Sequence, residues 1–248
     1  MRNTPLLTTT NIIILICIIA YAAKSHFFDQ GFSGYELFYF ENERFSPIQL
    51  LSHMFLHGGP THLFFNMFGL WMFGNSIERL WGVKKFVLFY LACGIGAAGI
   101  YLLVNYFQFQ NAISPLLDAG ISVDSMKAVF ANSQYYNLYP TSEDAVRTFQ
   151  SPVVGASGAL YGVLVAFAFL FPNNKIMLIF LPVPVAAKFF VPALLALDIL
   201  SEFTGFSIFG QNIAHAAHVG GAVTAVILML TVMKKRVPGN GSSTIWRK

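Results

Sequence analysis

An all-α, polytopic membrane bundle with six transmembrane helices is the fold class this sequence predicts, on three observations. Of 248 residues, 56% are hydrophobic and only 10% charged, against roughly 25% charged in a soluble domain. Six apolar stretches approach the ~20 residues that a bilayer-spanning helix needs. The basic residues fall unevenly between the alternating connections, as they do in membrane proteins. A disordered chain, a coiled coil, a collagen and a nucleic-acid-binding protein are excluded by the same composition, and the bundle is expected to be one domain over residues 1–248.

The first span is read at residues 6–23, stopped by Lys24. Arg2, the apolar stretch and Ala20-Tyr21-Ala22 also fit a cleaved signal peptide. The stretch is long for that, and no soluble domain follows it. The second span is read at 48–74 and the third at 86–105. The fourth covers 154–171 and is closed by Pro172, and the fifth covers 186–203. The sixth covers 213–233 and is stopped by Lys234-Lys235-Arg236. With the N-terminus inside, the outer connections hold only Lys24, Arg44, Lys127 and Arg147, and every other Lys and Arg falls on the inner side. Both termini are therefore expected in the cytoplasm, with a short tail over 234–248. Outer loops are expected at 24–47 and 106–150, the second long enough to be functional or mobile. The apolar segment 176–184, broken by Pro182 and Pro184, reads as an interfacial connector. Cys17 and Cys93 both lie in apolar runs, too few for a disulfide framework or a structural zinc site.

Polar residues inside spans carry the functional signal. Span two holds His53, His57, His62 and Asn66; span four opens on Gly155-Ala156-Ser157-Gly158; span six opens on His215 and His218, then Gly220-Gly221. Spans two, four and six run in the same direction, so the three clusters share a depth toward the outer face. A serine hydroxyl needs a base to take its proton, and a histidine at matching depth supplies one. Asn66 and His62, four apart on one helix face, can point into the same cavity as oxyanion donors. The Ser157 amide is a third donor, because first-turn helix amides are free. Gly155 and Gly158 allow close approach to the serine. Asp198 of span five cannot be placed beside His218 from sequence.

Other readings use the same residues. Gly-x-Ser-Gly at a span start also serves plain helix packing, and Gly221 and Ala225 have small-xxx-small spacing. His53/His57 and His215/His218 resemble histidine boxes, but six histidines are too few for a di-iron site, and no H-E-x-x-H is present. A transporter would need paired charges or broken helices at a midplane site.

His57-Gly-Gly-Pro-Thr-His62-Leu-Phe-Phe-Asn66-Met, Gly155-Ala-Ser157-Gly158 and Ala217-His218-Val-Gly-Gly221 together resemble the motifs of the rhomboid intramembrane serine proteases, in order and on the corresponding spans. The resemblance implies Ser157 as nucleophile and His218 as general base, a dyad. It implies that His62 and Asn66 form an oxyanion hole with the Ser157 amide. Tyr161 would pack against His218, and Gly158 and Gly221 would allow tight helix packing. His57 would lie beside the site, and Glu78-Arg79 would be a structural pair at the inner end of span two. No metal or other cofactor is implied. The partners would be transmembrane protein substrates and the lipid bilayer, with no nucleic acid. A relative that binds clients without cutting them usually lacks the serine or the histidine, and this chain keeps both. Where many members carry Trp-Arg in the first outer loop, this chain has Glu41-Asn42-Glu43-Arg44. The compact form fits an integral protein of a bacterial inner membrane.

Overall fold

A computed structural model describes residues 8–26, 34–132, 134, 140–178, 181–204 and 214–232, and the tail expected over 234–248 lies outside them. The described residues are mostly helical. By length and composition one of their helices, Val83–Asp118, is long and apolar enough to cross a membrane. Thr9–Lys24, Ser157–Leu170 and His215–Thr231 are shorter apolar helices.

Helix α1 (Thr9–His26) begins against a carboxylate from elsewhere in the chain. Glu78 accepts hydrogen bonds from the Thr9 amide at 2.8 Å, the Thr10 amide at 2.7 Å and the Thr10 hydroxyl at 2.6 Å. First-turn amides lack partners within their own helix, and the helix dipole favours an anion there. Glu78 lies beyond the apolar stretch 48–74. Its burial alone would raise its pKa, but the Thr10 and Thr9 hydrogen bonds outweigh that and hold the carboxyl below its ordinary range. Glu78→Gln is expected to destabilise the fold by about 1.5–3 kcal/mol near neutral pH, the usual worth of a hydrogen bond to a charged group. A depressed folded-state pKa stabilises fully above the unfolded carboxylate value of about 4.3 and loses that contribution as pH falls through the folded value. Thermal melts of both proteins in detergent should therefore converge toward acid; curves a constant distance apart would rule the linkage out.

The second apolar stretch is not one helix. It forms α2 (Gln49–Ser52), a 3₁₀ turn over His53–Phe55, a break, then α3 (Pro60–Gly69). A π-helical turn over Leu70–Gly74 leads into α4 (Asn75–Trp81). The break has a local cause. Pro60 sits at the start of α3, and the residue before a proline is pushed to extended backbone, as Gly59 is with φ −172° and ψ 166°. His57 therefore stands in the break, and His53 and His57 do not share one helix.

Helix α5 (Val83–Asp118) is 36 residues long, about 54 Å at 1.5 Å per residue. That exceeds the ~30 Å hydrocarbon core, so the expected loop over 106–150 begins as helix. The segment continues through α6 (Val123–Ala131) and α7 (Thr141–Gln150). The expectation of a loop missed the apolar spacing of Phe109, Ile113 and Leu116. They pack with Tyr39, Met126, Phe130 and Phe149 into a second small core. This cap is tied to the first outer loop. Asn42 Nδ2 donates to the Phe149 carbonyl at 2.6 Å, Lys127 pairs with Glu41 at 2.8 Å, and Leu37 bridges Val153.

Helix α8 (Ser157–Leu170) is the centre of the bundle, buried continuously from Gly158 to Phe167. A helix apolar all round belongs in an interior. Within the expected connector, β1 (Lys175–Leu178) and β2 (Leu181–Ala186) pair antiparallel. Helices α9 (Ala187–Thr204) and α10 (His215–Thr231) complete the bundle. Outer faces are apolar: Ile19, Phe64, Trp71, Leu88, Leu103, Leu200 and Ile227 are all exposed. Polar side chains, including His53, His57, Asn66, Asp198 and His218, are inside. That inversion suits lipid rather than water around the bundle.

Candidate active site

Ser157 is the first residue of α8, and the chain reaches it through a turn that only glycine allows. Gly155 has φ +132°. A β-carbon there would lie 2.8 Å from His62 Cε1 and Nε2 and 3.6 Å from Ser157 Oγ. The Gly155 amide donates to the His53 carbonyl at 2.9 Å, and the Leu37–Val153 bridge holds the strand just upstream. The 3₁₀ turn and the cap thus fix the approach to the serine.

His218, on the first turn of α10, puts Nε2 2.9 Å from Ser157 Oγ. The histidine is 8% exposed and the serine only half-buried, so the hydroxyl is reachable while its partner is sheltered. Tyr161, one turn below Ser157, stacks on the His218 ring at 4.2 Å between centroids and 10° between planes. Two helices meet this closely because the contact has almost no side chains. A β-carbon on Gly158 would meet Ala97 Cβ at 2.5 Å and the Ala217 carbonyl at 3.3 Å, and one on Gly221 would collide with the Gly158 carbonyl.

His62 lies over Gly155 on the serine side, in T-shaped contact with His57 at 5.2 Å. Asn66 is buried one turn below, with Nδ2 donating to the His62 carbonyl at 2.9 Å. That leaves its second amide hydrogen for a guest. His57 is 1% exposed, and neither ring nitrogen has a partner among the described residues. Buried imidazole nitrogens are seldom left so.

The sequence left Asp198 without a partner and did not mark Glu202. Asp198 of α9 places Oδ1 3.0 Å from His218 Nδ1 and 2.5 Å from His215 Nδ1. A carboxylate does stand beside His218, although span positions alone could not place Asp198 there. Glu202, one turn further along α9, accepts from the Ala216 amide at 3.1 Å and so caps α10. Asp198, His215 and His218 also have the residue types of a metal site, with ligand-type atoms within 4.8 Å of one another. They touch each other directly, however, and ligands around a zinc ion at about 2.0–2.1 Å each would stand further apart.

The Rhomboid domain family model matches residues 44–235. RHOMBOID-like protein 12, mitochondrial, of Arabidopsis thaliana is 29% identical over 187 residues, 75% of this chain and 47% of that protein. Rhomboid protein 1, mitochondrial, of Saccharomyces cerevisiae is 29% identical over 182 residues, 73% of this chain and 41% of that protein. Presenilin-associated rhomboid-like protein A, mitochondrial, of Danio rerio is 30% identical over 195 residues, 78% of this chain and 37% of that protein. The chain spans less than half the length of these curated relatives. The expectation of a bacterial inner membrane is corrected by them: every one of the three is a mitochondrial protein by name.

Proposed function

Because the chain belongs to the rhomboid family, we propose that it is an intramembrane serine endopeptidase that cuts transmembrane segments of other membrane proteins with Ser157 and His218. The contact that carries this reading is Ser157 Oγ to His218 Nε2 at 2.9 Å. The six spans of the proposal are α1, the broken second stretch as far as Gly74, α5, α8, α9 and α10. The site then sits toward the face on which α8 and α10 begin. A substrate helix must unwind there, since a helix hides its carbonyls in internal hydrogen bonds.

Ser157 Oγ attacks the exposed carbonyl carbon while its proton passes to His218 Nε2. The Ser157 amide, His62 and Asn66 face the developing oxyanion. The carbon–nitrogen bond breaks as His218 returns the proton to the leaving amine. Water, deprotonated by His218, then releases the acyl group from Ser157. His57, buried beside His62 and without a hydrogen-bond partner among the described residues, is a ready contact for an enclosed water.

A fluorophosphonate probe tests the nucleophile without knowledge of the substrate. Purified protein in detergent is expected to label on one serine, and Ser157→Ala is expected not to label. Labelling that survives Ser157→Ala would sink the assignment, and a parent that never labels would favour a client-binding relative.

A further inference from the structure

We propose that Asp198 is a positioning residue for His218, extending the Ser157–His218 pair to a serine–histidine–aspartate triad. The inference rests on the protease reading of the same site. Asp198 comes from α9, outside the three motifs, and is 3% exposed. A carboxylate is expensive inside an apolar span and persists where partners compensate it. Here the partners converge on the base. Oδ1 receives His218 Nδ1 at 3.0 Å and His215 Nδ1 at 2.5 Å, while Tyr161 stacks on the His218 ring. Asp198 and Tyr161 thus hold one imidazole by its edge and by its face.

The arrangement fixes which nitrogen of His218 carries the proton. A carboxylate only accepts hydrogen bonds, so Nδ1 must donate to it. Nε2 is then the bare nitrogen, and it is the one facing Ser157 Oγ. In the other tautomer Nε2 would carry hydrogen and could not take the serine proton. When His218 becomes imidazolium during attack, Asp198 stabilises the charge across the 3.0 Å contact. The carboxylate keeps its own proton count throughout. His215, perpendicular to His218 with ring centroids 6.2 Å apart, fixes the carboxylate from the other side.

A purely structural clamp between α9 and α10 would use the same atoms, so the test must separate the two roles. The measurement is the second-order rate of fluorophosphonate labelling by the full chain in detergent, which needs the base but no substrate binding. Four proteins are compared: parent, Asp198→Asn, His218→Ala and the double variant. Asp198→Asn is expected to label about 100-fold more slowly than the parent, less than the ~10⁴-fold effect of the equivalent change in a soluble triad, because Tyr161 still holds the ring. In the His218→Ala background, Asp198→Asn is expected to change the residual rate by less than about twofold, because Asp198 acts only through His218. Asp198→Asn labelling within threefold of the parent overturns the proposal. So does an equal proportional loss in both backgrounds, the mark of a structural role. If Asp198→Asn does not fold, Asp198→Ser is carried through the same cycle and read by the same two criteria. A parent that labels at Ser157 while Asp198→Asn matches it defeats the triad alone; a parent that fails to label defeats the protease reading beneath it.

Discussion

Ser157→Ala and His218→Ala are each expected to lower cleavage of a single-span reporter in proteoliposomes by at least about 10³-fold, with folding intact. The size follows from the roles. Removing the hydroxyl removes the nucleophile, and the residual rate comes only from binding and the oxyanion donors. Removing the imidazole leaves a serine whose proton has no acceptor, since Nε2 is the group 2.9 Å from Oγ. The double variant should be no worse than either single one, because the two act as a unit. Neither cysteine is poised to substitute: Cys17 and Cys93 are fully buried thiols in the helix core. Ser157→Ala removes one small polar atom and should cost little stability, whereas His218→Ala empties a buried ring's volume and takes a partner from Asp198, so it should also lower stability. Initial rates measured on monodisperse protein check the expectation. Cleavage within tenfold of the parent for either variant would remove that residue from the proposed chemistry.

Much of this site is legible in the sequence because membrane sequences state depth. Apolar runs give the spans, and counting from their ends puts Ser157, His218 and His62 at one level. The glycines around Ser157 and His218 announce a close helix contact, which the collision of a Gly221 β-carbon with the Gly158 carbonyl makes concrete. Asp198 is visible as a charge in an apolar span, but span order alone names no partner for it. The helix ends seen in the structure bring it to a depth near that of His218. Asp198 lies six residues before the end of α9 and His218 three after the start of α10. At 1.5 Å per residue those depths differ by about one turn. What hydropathy cannot give is the break before Pro60. An apolar run reads as one helix until the Gly58-Gly59-Pro60 signal is given priority over it. The extension of α5 is hidden for the opposite reason. Its polar residues, Asn105, Gln108 and Gln110, look like a loop, while Phe109 among them and Ile113 and Leu116 beyond face a small core built with the cap.

The close helix contact leads to a prediction about catalysis rather than stability alone. Gly221→Ala is expected to lower kcat/KM by about 10²-fold or more, although Gly221 touches no substrate. An added β-carbon would strike the carbonyl oxygen, carbonyl carbon and Cα of Gly158, all backbone atoms that no rotamer change can move aside. Helix α5 closes the neighbouring sides: a β-carbon on Gly162 would meet Cys93 Sγ at 2.5 Å, and one on Gly220 would meet Ile100 Cβ at 2.7 Å. Helix α10 must therefore withdraw from α8, and His218 withdraws with it, one turn above Gly221. Ser157 lies beside Gly158 on the opposing helix, so the displacement falls directly on the hydrogen bond between base and nucleophile. A misplacement of about 1 Å in such a pair is enough for a 10²-fold loss. Overpacking should also destabilise by about 1–3 kcal/mol. Gly99→Ala on α5 is the control, since nothing lies within 4 Å of a β-carbon there; it should leave cleavage unchanged and gain roughly 0.5–1 kcal/mol from helix propensity. Gly221→Ala with parental kcat/KM would mean that α8 and α10 can part without disturbing Ser157 and His218, and the link from tight packing to catalysis would fail.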